Sequence, residues 1–381
     1  MGGTRFIVAG SFIDGSGGDV CRNVFLKATD TIITAIGSVA DLPRNDAAID
    51  DFSHCTVLPP LVDCSVSLTQ SPSVDSRVRV SSEKADFAKK AAMLERHLRD
   101  CHAHGVLGVA DSDESDLVER YQEGMAQGSI IDIRSAGRDF LKVAYSANIE
   151  DEEGPDPRLS QEDMRNILQQ KGGKKAVVVA NGVQQVAEAL AAGCDAIEQG
   201  YGMGEDNLRK MAEKDVLWIP IVLRAKNGLD GASSGGSVCC RFSIRYVAPG
   251  KPNPGAEAFW KKMLAEQLAQ LRLARKLGVK TAVGTGAGSV GILHGESMAE
   301  EMKLFIKGGY SLEETIRCGS ENGARFFGME RLGTLAVGRK ATFLISRGTV
   351  QQLPRKLSYL ESIYVDGVPS SAYRKNPVKT A

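Results

Sequence analysis

The sequence predicts an α/β fold: a (β/α)8 TIM-type barrel with a small β-sandwich domain formed by the N- and C-terminal segments. The first observation is that apolar strand patterns alternate with amphipathic helix patterns along residues 58–330, with room for eight such units. The second is that β patterns without helices return at both ends of the chain. We therefore expect a barrel at 58–330 and one β-sandwich domain made of 1–57 and 331–381.

The terminal segments have the pattern of short strands separated by turns. Residues 14–18, with three glycines, predict a turn after the first strand. The predicted strands of these segments lie at 5–10, 23–28, 31–37, 341–345 and 362–367. We expect strands from the two ends of the chain to meet in one domain.

The barrel segment contains short apolar stretches that predict buried strands. These strands lie at 106–110, 130–133, 140–144, 175–180, 196–198, 216–220 and 281–285. Apolar residues at steps of three or four predict the helices between them. These helices lie at 82–104, from Ser160 onward, and at 183–192, 206–214 and 256–277. Residues 228–256, rich in Gly, Ser and Pro, predict a long loop of the kind that covers a barrel face.

Composition excludes several classes of function. Lysine plus arginine number 47 and aspartate plus glutamate number 47, so the net charge of zero argues against a nucleic acid or an anionic membrane as partner. The longest apolar runs fall short of a membrane span, and the N-terminus lacks a signal-peptide pattern. The eight cysteines show no CxxC spacing, which indicates reduced thiols and a cytoplasmic protein. A neutral chain is also compatible with a homo-oligomer.

Two serines stand out at the start of the barrel segment. Ser65 and Ser67 follow an apolar stretch and are two residues apart, so on a strand they point to the same face. Two imidazoles at this spacing could hold a divalent ion together. Serine hydroxyls are poor ligands for zinc, which prefers Cys, His and carboxylate groups.

Short motifs in the same order along nearly the whole chain carry a resemblance to a known family. The motifs are Ala35-Ile36-Gly37, Val57-Leu58-Pro59, Leu61-Val62-Asp63, residues 193–198, Gly284-Thr285, Ala287-Gly288, residues 294–297, Asn322-Gly323-Ala324 and residues 332–341. The chain resembles the imidazolonepropionase-like branch of the amidohydrolase superfamily. The resemblance implies a lineage of carbon-nitrogen bond hydrolases that act on amides or lactams with zinc or another divalent metal.

The resemblance also places the metal ligands of that lineage on this sequence. The histidine pair of barrel strand 1 falls on Ser65 and Ser67, and the single histidines of strands 5 and 6 fall on Asn181 and Gln199. The strand 8 aspartate, which also moves the proton of the attacking water, falls on Gly286. All five positions are substituted, and a glycine can neither bind a metal nor transfer a proton.

Some members of the branch also carry a carbamylated lysine on strand 4. Lys142 matches that position, although residues 137–160 are shorter than the resemblance implies. An ordinary barrel lysine is the alternative for Lys142.

The predicted consequence is that no metal or other cofactor is bound at the ancestral site. Neutral Ser, Asn and Gln side chains cannot offset the desolvation of Zn²⁺, and a weak Mg²⁺ site using Asp63 and amide oxygens is what remains. We expect a degenerate hydrolase that keeps a neutral polar pocket at the barrel mouth, suited to a small polar molecule. The alternatives are an active hydrolase of non-peptide carbon-nitrogen bonds with a metal-free or altered-metal mechanism, and a natural hydrolase altered in the laboratory.

Other catalytic groups are few in this sequence. His294 and Glu296 follow strand 8 and could form an acid–base pair, or Glu296 could simply begin the next helix. A nucleophilic Ser65 or Ser67 would need a base. Glu198 is expected to point away from the site because it alternates with Gln199 along the strand.

Overall fold

The structure is a computed structural model that describes residues 3–43, 48–113, 116–123, 130–146, 159–232 and 254–373. The strands in chain order are β1 (Thr4–Phe12), β2 (Cys21–Thr29), β3 (Ile32–Ser38), β4 (Ala48–Leu58), β5 (Leu61–Val66), β6 (Val106–Asp111), β7 (Asp132–Ser135), β8 (Phe140–Ser146), β9 (Lys175–Ala180), β10 (Ala196–Gln199), β11 (Leu217–Ile219), β12 (Phe343–Arg347), β13 (Leu360–Val365) and β14 (Val368–Pro369).

The helices surround the barrel strands. In chain order they are α1 (Ser76–Glu83), α2 (Phe87–Ala103), α3 (Asp116–Glu123), α4 (Gln161–Gln169), α5 (Val183–Ala192), α6 (Glu205–Lys214), α7 (Val222–Ala232), α8 (Pro254–Leu277), α9 (Glu296–Lys307), α10 (Leu312–Cys318) and α11 (Glu321–Phe326). Among these described helices, none combines the length and the apolar character that crossing a membrane requires.

The two ends of the chain build one seven-stranded sheet. Its strand order is β14-β13-β12-β4-β1-β2-β3. β4 lies at the junction, because it pairs in parallel with β1 and antiparallel with β12. The sheet has its own buried core, which includes Ile7, Leu26 and Phe343. The predicted domain made of both termini is therefore present, and β4 leads from it directly into the barrel.

The barrel consists of parallel strands in two hydrogen-bonded runs, β5-β6-β7 and β11-β10-β9-β8. A bridge between Ala136 and Phe140 joins β7 to β8. Residues 281–287, which we call the closing segment, join β11 to β5. Ala282 N donates to Trp218 O at 2.9 Å on one side, and Cys64 N donates to Val283 O at 2.9 Å on the other. Eight parallel positions thus close the ring predicted from the sequence.

The closing segment differs from the prediction of a regular strand at 281–285. It makes isolated bridges at Thr281 and Ala287 instead of a continuous ladder. Glycines explain the irregularity. A Cβ on Gly284 would lie 2.5 Å from Ile219 Cγ2, and Gly286 has a φ of +71°, which turns the chain out of strand conformation.

Helix ends follow the caps in the sequence, with one correction. Ser160 caps α4, and Gly193 ends α5 in the left-handed region at φ +88°, as predicted. The single predicted helix over 82–104 is wrong. The chain forms α1 and α2 there, because the Asp86 side chain accepts a hydrogen bond from Lys89 N and starts a new helix.

The prediction of a loop over 228–256 is wrong at both ends of that range. Residues 228–232 belong to α7 and residues 254–256 belong to α8, and the remainder lies outside the described residues. The two helices α7 and α8 pack closely at Gly228. A Cβ added to Gly228 would lie only 2.3 Å from the Trp260 ring of α8.

Candidate functional site

The mouth of the barrel, at the carboxyl ends of the parallel strands, holds a connected group of polar side chains. Ser65 Oγ donates to Glu198 Oε1 at 3.1 Å. Lys142 Nζ donates to Glu198 Oε2 at 2.7 Å and to Ser112 Oγ at 2.6 Å. We call Ser65, Ser112, Lys142 and Glu198 the central cluster. The side chains of Lys142 and Glu198 are only 14% and 5% exposed, so this ion pair is largely screened from water.

Lys142 lies on the fourth barrel strand, where the family resemblance placed it. It belongs to β8, which pairs in parallel with β9, and its long side chain reaches the group at the ends of β5 and β10. The ammonium lies against a carboxylate and a hydroxyl.

Glu198 is the site residue that sequence reasoning missed. Strand alternation predicted that it points away from the mouth, and this prediction is wrong. Gln199 has a φ of +69°, which ends the alternation of β10 at that residue, so both side chains reach the site. Two consecutive polar residues at a strand end were the available signal for Glu198.

The strand 5 and strand 6 positions, Asn181 and Gln199, are brought together. Asn181 Nδ2 donates to Gln199 Oε1 at 2.7 Å and to Ser146 O at 2.9 Å, while Asn181 Oδ1 accepts from Tyr201 N at 2.9 Å. Asn181 is 1% exposed and Gln199 is 8% exposed. The two amide side chains therefore hold each other in a buried position.

Ser67 has a separate partner. Its Oγ donates to both oxygens of Asp113, at 2.5 Å and 2.6 Å. Thr69 also donates to Asp113, from its backbone N at 3.0 Å and from its Oγ1 at 2.5 Å. Asp113 could not be assigned from the sequence, because it follows β6 in a polar stretch that has no motif.

A third carboxyl group of the mouth, Asp111, is incompletely paired. Its Oδ1 accepts from Leu68 N at 2.9 Å, and its buried Oδ2 has no hydrogen-bond partner among the described residues. Burial, and then the charge of Asp113, raise the pKa of Asp111 to about 8. Asp111 is therefore mainly a neutral carboxylic acid at pH 7.

The mouth is accordingly less neutral than its five substituted positions predict. Glu198 and Asp113 bring carboxylates, and Lys142 brings an ammonium. The expectation of a purely neutral lining failed because the charged groups come from positions next to the ancestral ligands.

Asp63, the remaining candidate for a weak Mg²⁺ site, uses both carboxyl oxygens in hydrogen bonds within the barrel wall. Its Oδ1 accepts from Thr285 N at 2.8 Å and from Ser65 N at 3.2 Å. Its Oδ2 accepts from Thr285 Oγ1 at 2.5 Å. Burial raises the pKa of Asp63 to about 6 against the opposing effect of these bonds. Both oxygens have protein donors, so Asp63 connects β5 to the closing segment.

Three neighbouring strand ends hold the backbone in the left-handed region. The φ angles are +69° at Gln199, +45° at Ile221 and +71° at Gly286. A positive φ at a β-branched residue such as Ile221 is costly and persists only when its surroundings enforce it. Tyr201 OH donates to Ile221 O at 2.7 Å, which is one such restraint.

Glu301 supplies a second restraint on the same strand end. Its carboxylate accepts from Val222 N at 2.8 Å and from Leu223 N at 2.6 Å, at the start of α7. Burial raises the pKa of Glu301 to about 8. A buried acid therefore fixes the first turn of a helix that begins at the mouth.

His294 and Glu296 do not form the predicted acid–base pair. His294 Nε2 donates to Ser67 O at 2.9 Å, and its Nδ1 has no hydrogen-bond partner among the described residues. The His294 ring stacks on His97 with centroids 3.7 Å apart. Burial lowers the pKa of His294 to about 3 and that of His97 to about 4, so both rings are neutral at pH 7. Glu296 begins α9, as the alternative reading expected.

The residues at the ligand positions that the resemblance implies do not fit a catalytic metal. Ser65, Ser67, Asn181 and Gln199 all take part in hydrogen bonds with other protein groups, and Gly286 has no side chain. Within the part of the chain that the structure describes, no three or more His, Cys, Asp and Glu side chains are grouped so that they could hold an ion. The ammonium of Lys142 also competes for the carboxylate nearest the centre.

Comparison with known proteins agrees with this fold. A search of curated protein sequences found no match. A solved Xaa-Pro dipeptidase with bound methionine in the active site is similar at a TM-score of 0.78 and 18% identity, over 96% of this chain and 99% of that one. The A. niger ochratoxinase is similar at a TM-score of 0.77 and 17% identity, over 97% of this chain and 95% of that one. Molinate hydrolase is similar at a TM-score of 0.76 and 16% identity, over 100% of this chain and 97% of that one.

At these identities the solved structures support the fold alone. The family is indicated by a direct sequence match. The family model described as "Amidohydrolase family" matches residues 155–369, which is more than half of the chain. This match spans the barrel strands that carry Asn181, Gln199 and Gly286, and it continues into the C-terminal strands of the sheet domain. The chain therefore belongs to the amidohydrolase family.

Proposed function

We propose that this protein has lost the metal-dependent hydrolysis of carbon-nitrogen bonds and uses the barrel mouth to bind a small polar molecule. The observation that carries the proposal is the ion pair between Lys142 Nζ and Glu198 Oε2, at 2.7 Å, which lies among the positions of the ancestral metal ligands. Without carbamylation, the ammonium of Lys142 opposes a divalent cation by charge repulsion, and the five substituted positions supply no ligands that would offset it.

The missing proton acceptor supports the same proposal. Metal-assisted hydrolysis needs an ion that lowers the pKa of its bound water to about 7 and a base that takes the proton. Gly286 stands at the position of that base and offers only backbone, and its N–H donates to Ser65 O at 2.8 Å. Both requirements of the ancestral reaction are therefore unmet in one place.

The test is metal analysis of the full chain purified without chelator. We expect zinc, manganese and iron far below one ion per chain, with no gain after incubation with zinc and removal of the excess. Stoichiometric zinc or manganese would contradict the proposal.

A matched variant tests whether the side chains alone explain the loss. It combines Ser65→His, Ser67→His, Asn181→His, Gln199→His and Gly286→Asp. We expect it to remain poor in metal, because Lys142 stays in the centre and the groups around restored ligands also determine affinity. Tight binding of one zinc ion per variant chain would show that the five substitutions are the whole cause.

One observation favours a second candidate, metal-free hydrolysis. Ser65 Oγ donates to Glu198 Oε1 at 3.1 Å, which is the contact between a nucleophile and its base. We rank it second, because the charge of Glu198 is already compensated by Lys142. This candidate requires amide hydrolysis that persists in chelator and disappears in both Ser65→Ala and Glu198→Gln.

We also propose that the protein works in a reducing compartment such as the cytoplasm. Cys64, Cys101, Cys194 and Cys318 are buried free thiols, which supports the proposal. Thiol titration in denaturant, after extraction under an alkylating quench, should count all eight cysteines of the chain as reduced.

A further inference from the structure

We propose that Lys142 forms an imine with a small uncharged aldehyde or ketone at the barrel mouth, with Glu198 as its proton acceptor and donor. The inference rests on the proposed function, because a resident divalent ion would need the same side chains. It names the class of ligand for the mouth and gives Lys142 a covalent role.

The geometry has the three parts of an activated nucleophile. Lys142 Nζ is the nucleophile, and Glu198 Oε2 is a base at 2.7 Å. Ser65 Oγ donates to the other oxygen of the same carboxylate at 3.1 Å and so orients the base. A nucleophile, an adjacent base and a third group that orients the base form the general signature of covalent catalysis.

The environment of the amine supports this role. Lys142 and Glu198 extend from β8 and β10, two strands of a rigid barrel, and such elements hold reacting groups more precisely than loops do. Ser112 Oγ lies 2.6 Å from Lys142 Nζ and can hydrogen-bond the oxygen of an adding carbonyl. The lysine side chain keeps 14% exposure, so a small molecule in the mouth can reach it.

The step balances without a further reagent. Glu198 takes one proton from the ammonium, and the free amine adds to the carbonyl carbon to give a carbinolamine. The carbinolamine then loses its hydroxyl as water, using the proton held by Glu198, while the C=N bond forms. One carbonyl compound and one ammonium give one protonated imine and one water, and the carboxylate of Glu198 pairs with the imine cation.

The charges of the mouth select among carbonyl compounds. Among the described residues that the site comprises, Glu198 and Asp113 are carboxylates, Lys142 is an ammonium, and Asp111 adds a neutral acid. A keto acid would bring another negative charge to this group, and like charges at close range cost energy. The ligand class is therefore an uncharged aldehyde or ketone.

A purely structural ion pair makes the opposite prediction for one substitution. If Glu198 only anchors Lys142, then Glu198→Gln frees the amine and raises its reactivity. If Glu198 is the base, the same substitution slows imine formation, while Gln retains an oxygen that can accept from the lysine. The sign of the change separates the two roles.

The experiment is reductive trapping of the full chain with benzaldehyde and cyanoborohydride, in chelator, at less than one equivalent of aldehyde. Peptide mapping by mass spectrometry then locates the benzyl group. We expect Lys142 to be labelled about tenfold faster than Lys175 and Lys280, because its base is buried and oriented by Ser65 whereas theirs lie near the surface. Those two lysines are 55% and 53% exposed, so they report ordinary surface reactivity.

A matched pair of variants completes the experiment. Glu198→Gln should slow Lys142 labelling by about 100-fold, which is the usual contribution of a positioned base. Asp215→Asn is the control, because Asp215 pairs with Lys280 at 2.7 Å on the surface, and there labelling of Lys280 should stay the same or rise.

Each result has one meaning. Labelling confined to surface lysines in the wild type, or faster Lys142 labelling in Glu198→Gln, would overturn the imine proposal. The peptide map of labelled lysines in the wild type tests the imine proposal even if a variant does not fold. Pyruvate replaces benzaldehyde in a parallel arm, and preferential labelling by the keto acid would overturn the assigned ligand class. Metal analysis of the same batch reports separately on the loss of hydrolysis, so the two proposals can fail independently.

Discussion

Two ion pairs of equal length occupy opposite environments in this protein. In the barrel mouth, Lys142 Nζ lies 2.7 Å from Glu198, with side chains 14% and 5% exposed. In the terminal sheet, Arg5 Nη1 lies 2.7 Å from Asp50, with side chains 32% and 23% exposed. Each carboxylate also accepts from a hydroxyl, Ser65 in the barrel and Tyr364 in the sheet, the latter at 2.6 Å.

The comparison teaches that distance alone does not determine what an ion pair contributes. Water can replace a lost partner of Asp50, but it reaches Glu198 poorly. A buried charge that loses its partner keeps its desolvation cost, whereas an exposed one recovers hydration. We therefore expect equal substitutions at the two sites to have unequal effects.

The largest effect is expected for Lys142→Met, which leaves Glu198 buried without its cation. The free energy of unfolding should fall by about 3–5 kcal/mol, measured by urea denaturation. The double variant Lys142→Met with Glu198→Gln should recover part of the loss, because neither charge remains. If Lys142→Met is as stable as the wild type, losing a partner costs the buried pair no more unfolding free energy than it costs the more exposed pair.

The hydroxyl donors give the next comparison. Ser65→Ala removes a donor from a buried carboxylate and should cost about 2 kcal/mol, in the range for hydrogen bonds to charged groups. Tyr364→Phe removes the equivalent donor from Asp50, where water can substitute, and should cost about half of that. Equal losses of unfolding free energy at the two sites would contradict the role of burial.

Asp111 extends the comparison to a mouth carboxyl group that has no cation bonded to it. Its pKa is about 8 in the folded state against an ordinary 3.8, so the folded state holds the proton more tightly than the unfolded state. The stability it contributes is full below about pH 4 and is lost as pH rises through about 8. Asn cannot titrate, so Asp111→Asn should gain stability relative to the wild type on going from pH 5 to pH 9.

The expected size of that gain is about 4 kcal/mol, from about 1.4 kcal/mol for each of the roughly three pH units between pH 5 and the folded pKa. Urea midpoints of both proteins at pH 5 and pH 9 provide the measurement. A difference that does not change with pH would mean that Asp111 is already ionised at pH 5.

The smallest effect is expected for Arg5→Met. Ion pairs with this exposure contribute at most about 1 kcal/mol. The loss should also shrink in high salt, while that of Lys142→Met should not, because exposed charges are screened and buried ones much less so. If the loss of unfolding free energy in Arg5→Met does not depend on salt, the two ion pairs do not differ in their screening by solvent.

The strands and the barrel order followed from the sequence because apolar patterns report burial directly. The substituted positions Ser65, Asn181 and Gln199 could be chosen in advance, since their neighbours keep the family motif. The structure brings Asn181 and Gln199 into direct contact and connects Ser65 to Glu198. The roles of these side chains remain proposals.

The partners of these residues could not be read from the sequence. Glu198 was placed on the wrong face, because strand alternation fails where Gln199 adopts a positive φ. Asp113 and Ser112 contact residues more than twenty positions away, and no local pattern encodes such contacts. Proximity in sequence links His294 to Glu296, whereas the His294 ring stacks on His97 of α2.

Gly286 bears on whether the proposed loss of the metal site could be undone in evolution. Its φ of +71° lies in the left-handed region that favours glycine, and a Cβ there would lie 3.3 Å from Ile221 Cγ2, a tighter contact than most side chains make. A mutation back to aspartate would meet this strain before it returned any catalysis, since four other ligands would still be missing. That first substitution alone would lower stability without restoring activity, so selection would not favour it. Under that proposal, glycine at this strand end makes a stepwise return of the metal site difficult.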